Sequence, residues 1–362
     1  MNYTARQKNL ANQLQRIGVE ALLVTHLPNI RYLCGFTGTA GVLVLNARAA
    51  SSKLVFFTDG RYTQQAAEQV KTAKVVITKK PALAQACEWV QKSKIATLGF
   101  EAEHLSYSTY KQVRQLLPGK TRLKAAGGTI EELRTVKDPG EIEQIRAAVL
   151  MAASLFPAVL TSIRPGVAET LIAGELEFQA RRAGAEKMSF DTIVAAGSRS
   201  ALPHGRASSQ PVPESGFIIL DYGVILAGYC SDMTRTVHVG RASPAHRRMY
   251  EAVREAQLAS IEMVRPGVEA GAVDKAGREV LKKAGYGAYF THSTGHGVGI
   301  EVHESPRLAK SQTQKLVPGM IVTIEPGIYV AGDGGVRIED MVLVTESGHD
   351  ILTPTTKDLI EV

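Results

Sequence analysis

The stretch Phe217-Ile-Ile-Leu-Asp221-Tyr-Gly-Val-Ile225-Leu-Ala-Gly228-Tyr-Cys-Ser-Asp232-Met-Thr-Arg-Thr-Val237-His-Val239 reads as a β-hairpin with an acid on each arm. The apolar run Phe217–Leu220 leads to Asp221, a turn falls within Ile225–Gly228, and the chain returns through Tyr229, Asp232 and Val237. A four-residue loop at 225–228 sets Asp221 directly opposite Asp232, with Cβ atoms roughly 4.5–5.5 Å apart. Two like charges about 5 Å apart repel by roughly 3 kcal/mol at an effective dielectric of about 20. A divalent cation between the carboxylates is the simplest offset. Glu325 and Glu339 repeat the arrangement around Gly332-Asp333-Gly334-Gly335, whose glycines suit the positive φ angles of a tight reversal. Both acid pairs sit among strand-like apolar residues, unlike scattered surface acids.

The hairpins belong to a weak internal repeat. A helix from Pro139 ends in Arg164-Pro165-Gly166-Val167. A second helix, with Ser243 as N-cap and Pro244 at its first position, ends in Arg265-Pro266-Gly267-Val268. Each is followed by another helix, running to about Ala183 and Ala284, then by strands and one acid-bearing hairpin. The pattern predicts an α+β domain of two related halves, each supplying two carboxylates to one central site. Residues 1–125 instead alternate strand and helix signals, which predicts a smaller mixed α/β domain. Helices are expected over Arg6–Gly18, Tyr62–Val70, Ala82–Gln91 and Tyr107–Leu117, with strands at Ala21–Val24, Val42–Leu45, Leu54–Thr58, Lys74–Ile77 and Ile95–Leu98. Pro118–Gly128 is the linker candidate by composition, and the boundaries taken are 1–125, a linker at 126–138, and 139–362.

The 362-residue length fits two domains, and 44% hydrophobic residues supply ample core. Net charge is +7, yet Lys and Arg are dispersed without a run of five, so no nucleic-acid partner is expected. The N-terminal MNYTARQKNL lacks an apolar signal core, and no stretch approaches ~18 uninterrupted apolar residues, so no membrane span is expected. Three widely spaced cysteines (Cys34, Cys87 and Cys230) argue against a disulfide framework and place the chain in the cytoplasm. Cys230, two residues before Asp232, reads as a packed thiol rather than a ligand.

Four carboxylates with one imidazole, His296, make an oxygen-rich ligand set suited to Mn²⁺, Zn²⁺, Co²⁺ or Fe²⁺. Four negative charges balance two divalent ions. Such a pair activates water at neutral pH and polarises a carbonyl, which points to amide hydrolysis. His292-Ser-Thr-Gly-His296 has the spacing of a helical zinc pair, but Gly295, Gly297 and Gly299 make a helix improbable, and the Glu of that motif is missing. His204, His292 and His303 are then candidates for binding substrate or moving protons, each weighed against a hydrogen-bonded structural histidine. Arg337, two residues before Glu339, could brace a ligating carboxylate.

At these residues the chain closely resembles the proline-specific "pita-bread" metallopeptidases, aminopeptidase P and prolidase. The resemblance lies in Pro203-His204-Gly205, Leu220-Asp221-Tyr222-Gly223, Ser231–Thr236, Thr294–Gly299, Ile324–Gly327 and Val336–Asp340. It extends to Asn29–Gly38 and Thr58–Tyr62 in the N-terminal part, and so covers nearly the whole chain. It implies a duplicated pita-bread catalytic domain behind a creatinase/prolidase-like N-terminal domain that lids the pocket and supports a homodimer or higher homo-oligomer. By resemblance, Asp221, Asp232, His296, Glu325 and Glu339 hold two divalent metal ions, Mn²⁺ foremost, with Co²⁺ or Zn²⁺ as substitutes; Asp232 and Glu339 match the bridging ligands. Glu325 matches the residue that takes the proton from the attacking water. His204, His292 and His303 match histidines that contact substrate, and Arg337 matches the arginine bracing the ligand aspartate. No ligand position departs from the pattern.

The implied substrate is a proline-containing peptide or dipeptide cut at its Xaa-Pro bond. Gly35-Phe-Thr-Gly38 and Asp59-Gly-Arg-Tyr62 look more like aminopeptidase P, which frees the first residue of longer peptides; prolidase, restricted to dipeptides, is the alternative. Methionine aminopeptidase usually lacks the N-terminal domain, creatinase lacks the five ligands, and a non-catalytic binding module would show ligand losses.

Overall fold

Alternating buried strands and amphipathic helices build the first of two units, Met1–Arg134, in a computed structural model describing residues 1–48, 53–117, 119 and 121–362. Its elements are α1 (Tyr3–Arg16), β1 (Ala21–Val24), α2 (Leu27–Cys34), β2 (Val42–Asn46), β3 (Lys53–Asp59), α3 (Thr63–Gln69), β4 (Lys74–Thr78), α4 (Ala82–Lys92), β5 (Thr97–Phe100), α5 (Tyr107–Leu116), β6 (Arg122–Ala125) and α6 (Thr129–Thr135). The strands form one mixed sheet in the order β4-β3-β2-β1-β5-β6. Alternate residues Ala21, Leu23, Val42, Val44, Val55 and Phe57 share a core with Ala86, Cys87 and Val90 of α4 and Val113 of α5, because successive side chains of a strand point to opposite faces. Helix α2, absent from the sequence reading, has a proline in its first turn and stops at Gly35, whose φ of 83° ends it. The expected linker at 126–138 is instead largely α6, and the units divide between Arg134 and Thr135. Pro118 and Lys120 of the Pro118–Gly128 linker candidate lie outside the described residues.

The second unit, Thr135–Val362, opens with α7 (Pro139–Leu160) and α8 (Glu169–Arg182). Strands β7 (Lys187–Met188), β8 (Ile193–Ala196), β9 (Gly216–Tyr222), β10 (Val224–Leu226), β11 (Tyr229–Cys230) and β12 (Met233–Val239) follow. The second half repeats the scheme with α9 (Pro244–Glu262), α10 (Ala270–Lys283), β13 (Gly295–Gly297), β14 (Glu304–Leu308), β15 (Ile321–Ile324), β16 (Gly327–Val330), β17 (Gly334–Arg337), β18 (Asp340–Val344) and β19 (His349–Ile351). The duplication reaches single hydrogen bonds. Gly166 N–H donates to Val212 O and Val212 N–H to Val167 O; Gly267 N–H donates to Leu316 O and Leu316 N–H to Val268 O. Both glycines sit at φ near +83°, so the repeated Pro-Gly marks a left-handed position that glycine alone adopts freely.

Helix α7 is capped by Asp138 and Glu141 in a reciprocal capping box. Among the described residues it is the one helix long and apolar enough, by length and composition, to cross a membrane. Its apolar face is used otherwise: Ala148, Ala152, Leu155, Phe156 and Val159 pack with Ile172 and Leu176 of α8 and with Ile218, Leu220 and Val237 of the β9–β12 ladder. Burying each large apolar side chain contributes about 1.5–3 kcal/mol.

The hairpin registers differ from the sequence expectation. Asp221 lies opposite Thr234, not Asp232, because the reversal is a two-residue turn at Ala227–Gly228 rather than a four-residue loop. Both turn residues have positive φ, 47° and 75°, which suits the handedness of a tight hairpin. The register therefore shifts by two, an even step that keeps faces unchanged in a regular ladder. Asp232 falls in the break between β11 and β12, where a side chain at Gly223 would collide with the Ser231 carbonyl. In the second hairpin the turn is Ala331–Asp333, and only Gly332 among the four turn residues expected has positive φ. Gly335 belongs to β17, where a Cβ would meet Ser200 O. The β16–β17 and β15–β18 ladders share one register, which leaves Glu325 and Glu339 opposite each other at the switch between two sheets.

Candidate metal centre and active site

The nine residues singled out in the sequence line one cavity of about 860 Å³ in the second unit. Strand ends supply them: Asp221 from β9, Asp232 from the β11–β12 break, His296 from β13, Glu325 just past β15, Arg337 from β17 and Glu339 between β17 and β18. Loops bring His204, His292 and His303.

Ligand atoms of Asp232, His296 and Glu339 lie within 4.8 Å of one another. His296 Nε2 is 3.4 Å from Glu325 Oε1 and 3.7 Å from Asp232 Oδ2. Its Nδ1 is 3.0 Å from Gly297 O, which can only accept, so Nδ1 carries the hydrogen and Nε2 offers a lone pair. Burial holds the His296 pKa down to about 4, so the ring is neutral. Thr234 Oγ1 donates to Glu339 Oε2 at 2.7 Å, orienting that carboxylate. Arg337 donates to Asp221 Oδ2 (2.5 Å), Tyr329 OH (2.7 Å), Thr234 Oγ1 (3.1 Å) and Pro203 O (3.1 Å). Asp221 Oδ1 is buried with no hydrogen-bond partner among the described residues.

Crowding these acids has the expected electrostatic signature. Burial, then the charges of Glu339, Asp221 and Glu325, raise the Asp232 pKa well above the usual carboxylate range. Burial, reinforced by Glu325 and Asp221, does the same to Glu339. Glu325 is pushed up to about 8, chiefly by burial, with Asp221 adding to it. An orphaned carboxylate oxygen, a neutral imidazole aimed inward and clustered buried acids fit divalent cations: the ions would satisfy the oxygen and neutralise the repulsion.

One role read from the sequence, that of His292, comes out differently, whereas Cys230 is the packed thiol expected. His292 Nδ1 faces Ser293 O at 2.8 Å and Nε2 faces Tyr329 OH at 2.9 Å. Both ring nitrogens are engaged, so His292 lines the cavity without a free nitrogen for substrate. Cys230 donates to Ile300 O, and burial raises its thiol to about 12, which leaves it a packed group. Sequence reasoning missed Tyr329, Thr234 and Arg307. The first two act through partners about 100 positions away or across a hairpin, which no spacing reveals. Arg307, four residues after His303, was the legible one: an exposed guanidinium on the cavity wall.

Residues 143–346 match Metallopeptidase family M24, and residues 6–136 match the Creatinase/Prolidase N-terminal domain. The chain belongs to metallopeptidase family M24. An Xaa-Pro dipeptidase from Bacillus anthracis superposes with a TM-score of 0.95 at 39% identity, covering 100% of both chains. The Xaa-Pro dipeptidase of Pyrococcus horikoshii is 35% identical over 98% of each chain. An X-Pro aminopeptidase from Thermotoga maritima superposes with a TM-score of 0.89 at 34% identity, covering 97% of this chain and 100% of the other. This M24 peptidase therefore has the expected architecture, a creatinase-like N-terminal unit followed in sequence by a pita-bread catalytic unit, and is a hydrolase. The lean toward aminopeptidase P is not favoured: relatives named for dipeptidase activity predominate over the chain's full length.

Proposed function

We propose that this protein is a metal-dependent Xaa-Pro dipeptidase, a prolidase. The observation that carries the choice is Arg307. It lines the same cavity as the carboxylate cluster, is exposed, and has no ion pair among the described residues. Arg206, which lines the same cavity, is already paired with Asp191 at 2.9 Å. In an Xaa-Pro dipeptide the free carboxylate lies one residue from the scissile bond, within one cavity's reach, and a guanidinium fork matches it. A longer peptide has a neutral amide at that place. Aminopeptidases of the same fold exist, so fold alone does not separate the two activities.

Asp221, Asp232, His296, Glu325 and Glu339 would hold two divalent ions, Mn²⁺ foremost. When bound, such ions activate water and polarise the scissile carbonyl. Glu325 accepts the water's proton and returns it to the proline nitrogen. His303 and His204, which line the cavity, would donate to the carbonyl oxygen as charge develops there, where preorganised donors matter most. Arg337 holds Asp221 in place. We place the enzyme in the cytoplasm, which its three free, buried cysteines suit, and as a homodimer or higher homo-oligomer; light scattering that finds a monomer would remove that assignment.

The test compares Xaa-Pro, Xaa-Pro-amide and Xaa-Pro-Xaa with one metal-loaded preparation. A charge-assisted hydrogen bond of about 1.5–3 kcal/mol predicts roughly 10–100-fold higher kcat/KM for the free dipeptide. Equal or faster cleavage of the tripeptide would return the reading to aminopeptidase P.

A further inference from the structure

We infer that Asp274 and Arg278, an ion pair on α10 that is no part of the ligand set, position the His292 loop and so hold Tyr329 and Arg337 in place. Arg278 Nε and Nη2 meet the two Asp274 oxygens at 2.6 and 3.0 Å, a bidentate pair whose carboxylate is fully buried. The guanidinium has donors left over. Nη1 donates to Phe290 O at 3.1 Å and Nη2 to His292 O. Its centre lies 4.1 Å from the Phe290 ring centroid, and that ring meets His292 edge-on at 5.1 Å. Asp274 Oδ1 also accepts from the Thr294 amide (3.1 Å) and hydroxyl (2.9 Å). One ion pair thus fastens residues 290, 292 and 294, and Thr294 O in turn accepts the Glu325 N–H at 2.8 Å.

The consequence reaches the ligands through His292. Ser293 O can only accept, so Nδ1 bears the hydrogen and Nε2 must accept. Tyr329 OH already receives a hydrogen from Arg337 and is therefore the donor to Nε2. Arg337 binds Asp221 with its other amino group. The order Arg278, His292, Tyr329, Arg337, Asp221 is one unbroken series of contacts, in which Arg278 and Tyr329 both donate to His292 and Arg337 donates to both Tyr329 and Asp221. A plain intrahelical ion pair four residues apart needs only Asp274 and Arg278; the carbonyls of Phe290 and His292 and the Thr294 hydroxyl are what it adds here.

The activity readout rests on the Xaa-Pro reading; the spectroscopic one does not. Arg278→Ala is expected to lower kcat about tenfold or more with KM within about threefold, at unchanged metal content. In a His292→Ala background the same substitution should change kcat by less than about twofold, because the pathway is already cut. Arg278→Lys, which keeps the charge but not the fork, should recover little of the loss and serves if the alanine variant does not fold. Independently, ¹⁵N spectra of the zinc-loaded protein should show His292 as a single Nδ1–H tautomer that becomes mixed in Arg278→Lys. Equal kcat losses in both backgrounds, or an unchanged His292 pattern, would overturn the assignment. Should no Xaa-Pro substrate turn over at all, the functional reading fails while the ¹⁵N result still decides the positioning one.

Discussion

Replacing Arg337 with methionine is the perturbation with the most calculable outcome. Arg337 is 3% exposed and its side chain makes four hydrogen bonds, the shortest to Asp221 Oδ2. Methionine fills similar volume and leaves Asp221, whose Oδ1 is already orphaned, with neither oxygen satisfied. Removing one partner of a buried ion pair costs about 3–5 kcal/mol. A unit the size of Thr135–Val362 loses roughly 2–4 °C of melting temperature per kcal/mol, so the chelated variant should melt about 6–20 °C below the chelated parent. Losing an outer partner of a ligand should also weaken metal binding about 10–100-fold. Calorimetry on chelated protein at pH 8 reads the first quantity and metal titration the second. Melting within 2 °C of the parent together with unchanged metal affinity would refute the idea that the guanidinium holds Asp221.

Three further outcomes follow from the same geometry. Glu325→Gln keeps an oxygen ligand but removes the base, and should cut kcat about 10²–10⁴-fold while metal content, read by elemental analysis, stays high. Arg307→Ala should raise KM for the dipeptide roughly 10–100-fold and leave the dipeptide amide almost unaffected; an equal loss on both substrates would deny it the carboxylate. For chelated protein, Glu325 has a folded pKa of about 8 against an ordinary 4.5, so its contribution is full below pH 4.5 and lost as pH rises through 8. His292 and His296, lowered by burial from 6.5 to about 4, act oppositely and destabilise the fold as pH falls below 6.5. Added metal should therefore raise the melting temperature most near pH 8 and least near pH 5, with proton release on binding; a metal effect independent of pH would contradict this.

Much of this was legible because strand periodicity and turn chemistry are local. β1, the Ser243 and Pro244 start of α9, the two Pro-Gly helix ends and the assignment of both acid pairs to hairpins all follow from neighbours in the chain. Register was the weak point. Whether Ala227–Gly228 closes a two-residue turn or sits inside a four-residue loop moves Asp221's partner from Asp232 to Thr234, and Ala227 gives little sign that it will adopt positive φ. The α6 helix occupies what looked like a linker because Thr129–Thr135 is short and its context is tertiary. Side-chain direction was not legible at all: nothing in the spacing of His292 tells that both its nitrogens are spent on Ser293 and Tyr329.

One experiment decides whether the cluster of Asp221, Asp232, His296, Glu325 and Glu339 is a working metal centre for Xaa-Pro hydrolysis. The protein is stripped with a chelator until elemental analysis finds no transition metal, then assayed on an Xaa-Pro dipeptide before and after Mn²⁺ is returned. The stripped protein should show no detectable turnover, and recovery should saturate near two Mn²⁺ per chain, with Co²⁺ or Zn²⁺ restoring less. Full turnover in verified metal-free protein would contradict this.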